Sequence, residues 1–103
     1  MDRISKLKAF LESSPDDSFL KHALALEYIK LNDDDAARRL FEEVLEREPG
    51  YVGSYYHLGK LLERAGEQDA ACSIYEKGMA VAKAANDKHA YNELQAAHED
   101  LMY

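Results

Sequence analysis

The 103-residue chain has one cysteine, two prolines and an excess of acid over base, with 13 Lys and Arg against 20 Asp and Glu and a formal charge of −7. Each scarcity excludes something. Cys72 alone cannot form an internal disulfide. It lies between Ala71 and Ser73 in a helical pattern, with no basic cluster to stabilise a thiolate, and it reads as a small helix-face residue in a reducing compartment. The shortage of base argues against nucleic acid, which needs a basic footprint, and against an anionic membrane surface. No apolar run approaches the ~18 residues that would span a bilayer. The first residues, Met-Asp-Arg-Ile-Ser-Lys, contain no apolar signal core, so a cytoplasmic protein is expected. No glycine-rich phosphate loop, nucleophile elbow or His-Glu-x-x-His occurs, so neither an enzyme nor a cofactor is expected.

What is present is helical periodicity. Ile4, Leu7, Phe10 and Leu11 place a helix over 2–13, stopped by Pro15. Asp16, Asp17 and Ser18 supply capping oxygens for a helix over about 18–31. Leu20, Ala23, Leu24, Ala25, Tyr28 and Leu31, with Phe19, Leu26 and Ile29, coat that helix so widely that cover on more than one side is expected. Asn32 ends it, since asparagine tolerates the left-handed backbone of a helix end. Asp33, Asp34 and Asp35 open the next helix and complement its dipole; they lack the alternating ligands of a calcium loop. Ala37, Leu40, Phe41, Val44 and Leu45 make its apolar stripe, and Pro49 and Gly50 close it. Tyr55, Leu58, Leu61 and Leu62 mark a helix over 52–65, broken by Gly66. A helix over 68–84 carries Ala71, Ile74, Tyr75, Gly78, Met79 and Ala82 on one face. Asp87 looks like the cap of a last helix over about 88–102, with Ala90, Leu94, Ala97 and Leu101 inward.

Two of these segments are copies. At an offset of about 34 residues, Leu24 answers Leu58, Ala25 answers Gly59, Tyr28 answers Leu62 and Asn32 answers Gly66. Downstream, Ala36 and Ala37 answer Ala70 and Ala71, and Phe41 answers Tyr75. Gly59 with Ala71, and Ala25 with Ala37, fall where paired helices cross closest, where a bulky side chain would hold them apart. The pattern resembles the tetratricopeptide repeat: aromatic-x-x-Leu-Gly-x-x-Tyr, then Ala-x-x-x-Phe, then Pro. Two departures stand out. Lys21 occupies a place where the family prefers an aromatic, and Lys83 stands where the second copy should have its proline. Tyr91 and Leu94 restate the motif two residues late, with Gln95 at the glycine position.

The resemblance implies an all-α fold, a right-handed α-solenoid of about six helices in antiparallel pairs. It implies a single domain over 1–103: a half-repeat helix at 2–15, repeats at 18–51 and 52–85, and a capping helix at 87–102. It also implies a non-catalytic scaffold whose first helices line a concave groove for a protein or peptide. By register that groove shows His22, Leu26, Ile29 and Lys30 from the first copy, and Tyr56, His57, Lys60, Glu63 and Arg64 from the second. The set is mildly basic and suits an acidic or C-terminal segment held by Lys30, Lys60 and Arg64, with Tyr56 giving apolar area. The alternative at these positions is a solvated helix face with no ligand. One family subset grips chaperone C-terminal carboxylates with lysine, asparagine and arginine at set places. Here His22, Leu26 and His57 fill those places, and the late third helix offers His89 and Glu93, so that activity does not carry over. His89 and Glu93, or His22 with His57, fall short of a metal site. A competing reading is self-association into a homo-oligomer, through the groove or through the terminal helices, where Ile4, Leu7 and Phe10 lack a usual partner.

Overall fold

A computed structural model describes residues 2–103. Among these residues there are six helices and no strand: α1 Arg3–Ser13, α2 Ser18–Lys30, α3 Asp34–Arg47, α4 Gly53–Arg64, α5 Gln68–Ala84 and α6 Lys88–Met102. They fall into two compact units, one up to residue 48 with α1 to α3 and one over residues 49–103 with α4 to α6.

Acidic residues start four of the helices. The carboxylates of Asp2, Asp17, Asp33 and Asp87 accept from the backbone N–H groups of Ser5, Leu20, Ala36 and Ala90 at 2.7, 3.0, 3.2 and 3.0 Å. Each satisfies a donor that the first helical turn leaves unpaired, a contribution of about 1 kcal/mol. Three helix ends share one closing device. Asn32, Gly66 and Asn86 have φ of 61°, 80° and 57°. The residue after each donates back across the turn: Asp33 to Tyr28 at 2.9 Å, Glu67 to Leu62 at 2.9 Å and Asp87 to Ala82 at 2.8 Å. This is the Schellman ending, and it reverses the chain while pairing the last carbonyls. It joins α2 to α3, α4 to α5, and also α5 to α6. The repeat period fails after α5 because a turn of the within-pair kind follows there, where the first copy has Pro49.

In the first unit, Leu7, Ala23 and Leu24 form a buried cluster, with Ile4, Leu11, Leu20, Tyr28 and Leu40 packed against it. Ala25, Ala37 and Phe41 are fully buried. The buried Ser18 hydroxyl donates to Glu48 at 2.9 Å, and Lys21 reaches Glu43 at 4.0 Å, tying α2 to α3. The cover expected around α2 is incomplete, and α1 keeps the uncovered edge that its missing partner implied. Phe19 is 65% exposed, Leu31 63% and Phe10 60%. Helical period alone places these three on apolar stripes, but they lie at stripe edges that no neighbouring helix covers.

The second unit is closed by glycines. A Cβ on Gly59 of α4 would stand 2.2 Å from Cε1 and 2.6 Å from Cζ of Tyr75 on α5. Reciprocally, a Cβ on Gly78 of α5 would stand 2.6 Å from Cβ of Tyr55 on α4 and 3.0 Å from Cδ1 of Leu94 on α6. Each helix of the α4–α5 pair thus seats a tyrosine of the other on a residue without a side chain. Tyr75 is fully buried and Tyr55 nearly so, so neither ring has free space to retreat into.

Gly59→Ala is expected to destabilise the protein by about 1–3 kcal/mol through overpacking. Gly66→Ala meets nothing within 4 Å, and its cost of about 1–2 kcal/mol comes from the left-handed backbone alone. Urea midpoints of the two variants check the pair. Only the Gly59 cost should shrink when Tyr75 is also cut to leucine.

Candidate functional site

On α4, Tyr56, His57, Lys60 and Glu63 form one connected surface. The Lys60 ammonium lies 5.6 Å from the Tyr56 ring centroid, a cation–π arrangement. The Tyr56 and His57 rings meet edge to face at 5.5 Å. Lys60 Nζ is 3.7 Å from Glu63 Oε2, and that same oxygen accepts the hydroxyl of the buried Tyr75. Burial first, and then this bond to the carboxylate, push the Tyr75 phenol far above its ordinary range, so it stays a donor. Glu63 therefore holds the core tyrosine from one side and the surface lysine from the other. Arg64 is exposed at the end of α4. His57 is half-buried, and burial lowers its imidazole below the ordinary value while the Glu93 carboxylate on α6 pulls the other way.

On α2, His22, Leu26 and Ile29 are half-buried, and Lys30 is exposed. His22 meets Phe41 of α3 edge to face at 5.4 Å. Lys30 is bound to Glu27 at 3.0 Å, and Glu27 is shared with Arg3 at 3.4 Å. Both lysines assigned to an acidic ligand thus already face a carboxylate. A ligand acid must exchange with Glu27 or Glu63 and not meet a bare charge.

Sequence periodicity left two features of the second unit unmarked. An open cavity of about 370 Å³ lies at the α5–α6 turn, lined by Ala82, Lys83, Asn86, Asp87, Lys88, Tyr91 and Asn92. Farther along the same two helices, Cys72 Sγ lies 3.2 Å from Nε2 of His98, which lies 3.6 Å from a Glu76 carboxylate oxygen. Burial and the carboxylates of Glu76 and Asp69 raise the Cys72 thiol above its ordinary value, so the free thiol is no activated nucleophile. Cys72 and His98 are 26 residues apart, a spacing outside the repeat period, which is why the pattern could not pair them.

Capped helices joined by left-handed turns, with two segments copied at a fixed offset, define a helical-repeat protein of the all-α class. Tetratricopeptide-repeat family models match residues 20–51 and 40–73. The crystal structure of a tetratricopeptide repeat domain protein from Salinibacter ruber is 42% identical, covers 84% of this chain and 96% of its own, and superposes with a TM-score of 0.81. A TPR repeat-containing protein from Pseudomonas aeruginosa is 29% identical over 91 residues, 88% of this chain and 87% of that protein. The TPR2B domain:pHsp70 complex of yeast Sti1 shares the fold, with a TM-score of 0.89 at 14% identity over 96% of this chain and 79% of that one. The chain belongs to the tetratricopeptide repeat family. Domains of this family generally serve as non-catalytic scaffolds for protein contacts. Among the described residues, no helix is long and apolar enough to cross a membrane.

Two outcomes follow from this geometry. Glu63→Ile should cost about 1–3 kcal/mol, because it leaves the buried Tyr75 hydroxyl without its acceptor, and Tyr75→Phe about 0.5–1.5 kcal/mol, because Glu63 is partly exposed and keeps Lys60. The double variant, which restores the Phe and Ile found at the matching places of the first copy, should cost less than the sum by about 0.5–3 kcal/mol; a double-mutant cycle in urea reads the difference. The second outcome concerns acid. His57 is harder to protonate folded than unfolded, so the unfolded chain binds more protons as the pH falls through the ordinary imidazole value of 6.5. Stability should fall on that descent, and the loss is complete below the lowered folded value. Thermal midpoints of wild type and His57→Gln between about pH 7.5 and about pH 5 check it, with a flatter profile expected for the variant.

Proposed function

We propose that the chain is a non-catalytic cytoplasmic adaptor that takes an acidic or C-terminal protein segment on the half-buried Tyr56–Lys60 face of α4. The observation that carries this reading is the Tyr56–His57–Lys60 cluster. Its aromatic area and positive charge are held in a fixed arrangement by Glu63 and by ring contacts. An interface anchor needs area that costs little side-chain entropy, and a pre-positioned tyrosine beside a cation supplies it. Tyr56 and Lys60 are the anchor pair, Arg64 extends the charge, and Glu63 acts as their support. In the first unit, the repeat register gives His22, Leu26, Ile29 and Lys30 as the matching positions on α2. The pHsp70 complex of the Sti1 domain supports the reading in kind, as a fold of this class engaged with a protein ligand.

A second reading, self-association, is favoured by one observation: the exposure of Phe10 and Phe19 in the first unit.

The test is a peptide array of acidic and C-terminal segments, with affinities of the hits measured by fluorescence anisotropy. Tyr56→Ala and Lys60→Glu should each weaken the best hits by about tenfold or more, and binding should fall with added salt. Unchanged affinity in both variants removes the α4 face from the account. Sedimentation of the unliganded protein over a concentration series separates the two readings: a stable dimer dispersed by Phe10→Ser supports self-association in place of peptide capture.

A further inference from the structure

Cys72 and Glu76 are one helical turn apart on α5, and His98 and Met102 are one turn apart on α6. Each pair occupies i and i+4, so each pair points from one face of its helix. The two faces meet. Sγ of Cys72, Nε2 of His98 and a carboxylate oxygen of Glu76 all lie within 4.8 Å of one another, and Sδ of Met102 is 3.9 Å from the thiol. From this geometry we propose a binding site for a single zinc ion, ligated by Cys72, His98 and Glu76.

The spacing fits the ion. Zinc–sulfur bonds of about 2.3 Å and zinc–nitrogen or zinc–oxygen bonds of about 2.0–2.2 Å set tetrahedral donors roughly 3.3–3.6 Å apart. The observed separations are 3.2 Å from sulfur to nitrogen and 3.6 Å from nitrogen to oxygen. The third pair, sulfur and carboxylate oxygen, lies within 4.8 Å, so an ion can enter once the exposed Glu76 side chain turns toward the sulfur. The donors also match a borderline-soft cation: one thiolate, one imidazole and one carboxylate, with the fourth position open to water.

The first repeat copy sharpens the contrast. The places matching Cys72 and Glu76 hold Arg38 and Glu42, joined at 3.3 Å as an ordinary ion pair along α3. In the second copy the guanidinium is replaced by a thiol, the glutamate is kept, and α6 brings an imidazole to the same spot. In place of a permanent guanidinium, the second copy gathers a thiol, an imidazole and a carboxylate around one point. When the ion binds, the thiol proton leaves to solvent and the thiolate takes its place in the coordination shell.

The test uses the full chain and Zn²⁺ alone, by calorimetric titration, with Co²⁺ as the spectroscopic stand-in. One ion per chain is expected, with a thiolate-to-cobalt charge-transfer band. Cys72→Ser should abolish the band, and Cys72→Ser and His98→Gln should each weaken Zn²⁺ by at least about tenfold. His89→Gln, on the same helix but outside the cluster, should leave affinity unchanged. In the wild type, Zn²⁺ should slow alkylation of Cys72 by a thiol reagent, a readout that does not depend on any variant folding. Absence of the band, full affinity in Cys72→Ser, or alkylation unaffected by Zn²⁺ overturns the site. Tighter capture of Cu(I) than of Zn²⁺, lost in Met102→Leu, overturns the assignment to zinc.

Discussion

The seating of Tyr75 on Gly59 is the constraint on which the second unit depends. An aromatic ring can lie against helix backbone only where no Cβ intervenes, and α4 provides that gap at one residue. Tyr55 uses the gap at Gly78 in the opposite direction. Once both rings are down, little freedom remains in how α4 and α5 cross, because sliding either helix drives a ring into a neighbouring side chain. The hydroxyls then find fixed partners, Tyr55 on the Pro49 carbonyl and Tyr75 on Glu63. Through Glu63 the core geometry reaches the surface, since the same carboxylate faces Lys60. The α4 face is ordered from below.

The two copies solve the same packing problem with different residues, and the differences come in matched sets. Where the second copy has Gly59, Tyr75 and Glu63, the first has Ala25, Phe41 and Ile29. A methyl is added on one helix, and the hydroxyl and its acceptor are removed together. Where the second copy has Tyr55 and Gly78, the first has Lys21 and Val44. The ring is gone, the valine is fully buried where the glycine was, and Lys21 turns to Glu43. A buried hydroxyl without an acceptor is costly, so the acceptor at 63 is hard to lose while the tyrosine stays.

Local chemistry made most of the fold legible in the sequence. Aspartates at helix starts, left-handed residues at helix ends and a fixed offset between copies are short-range or periodic signals, and the helices lie where these signals put them. Small residues at 25, 37, 59 and 71 pointed to close crossing, and Gly59 shows it directly. Three things were not legible. The exposure of Phe19 depends on which neighbours exist, and periodicity cannot count neighbours. The bond between Glu63 and the core Tyr75 joins residues whose spacing lies outside the repeat offset. The meeting of Cys72 with His98 depends on the two-residue delay before α6, which breaks the repeat and leaves no pattern to follow.

The turns at Asn32, Gly66 and Asn86 bear on how quickly the chain finds its shape. Each brings together two helices that are consecutive in the chain, after a reversal of only a few residues. Little loop entropy is lost before the apolar faces meet, and chains built from such nearby encounters condense on the microsecond-to-millisecond scale. Newly made protein would therefore spend little time with its oily faces bare, and a nascent chain could close each hairpin soon after the second helix is complete.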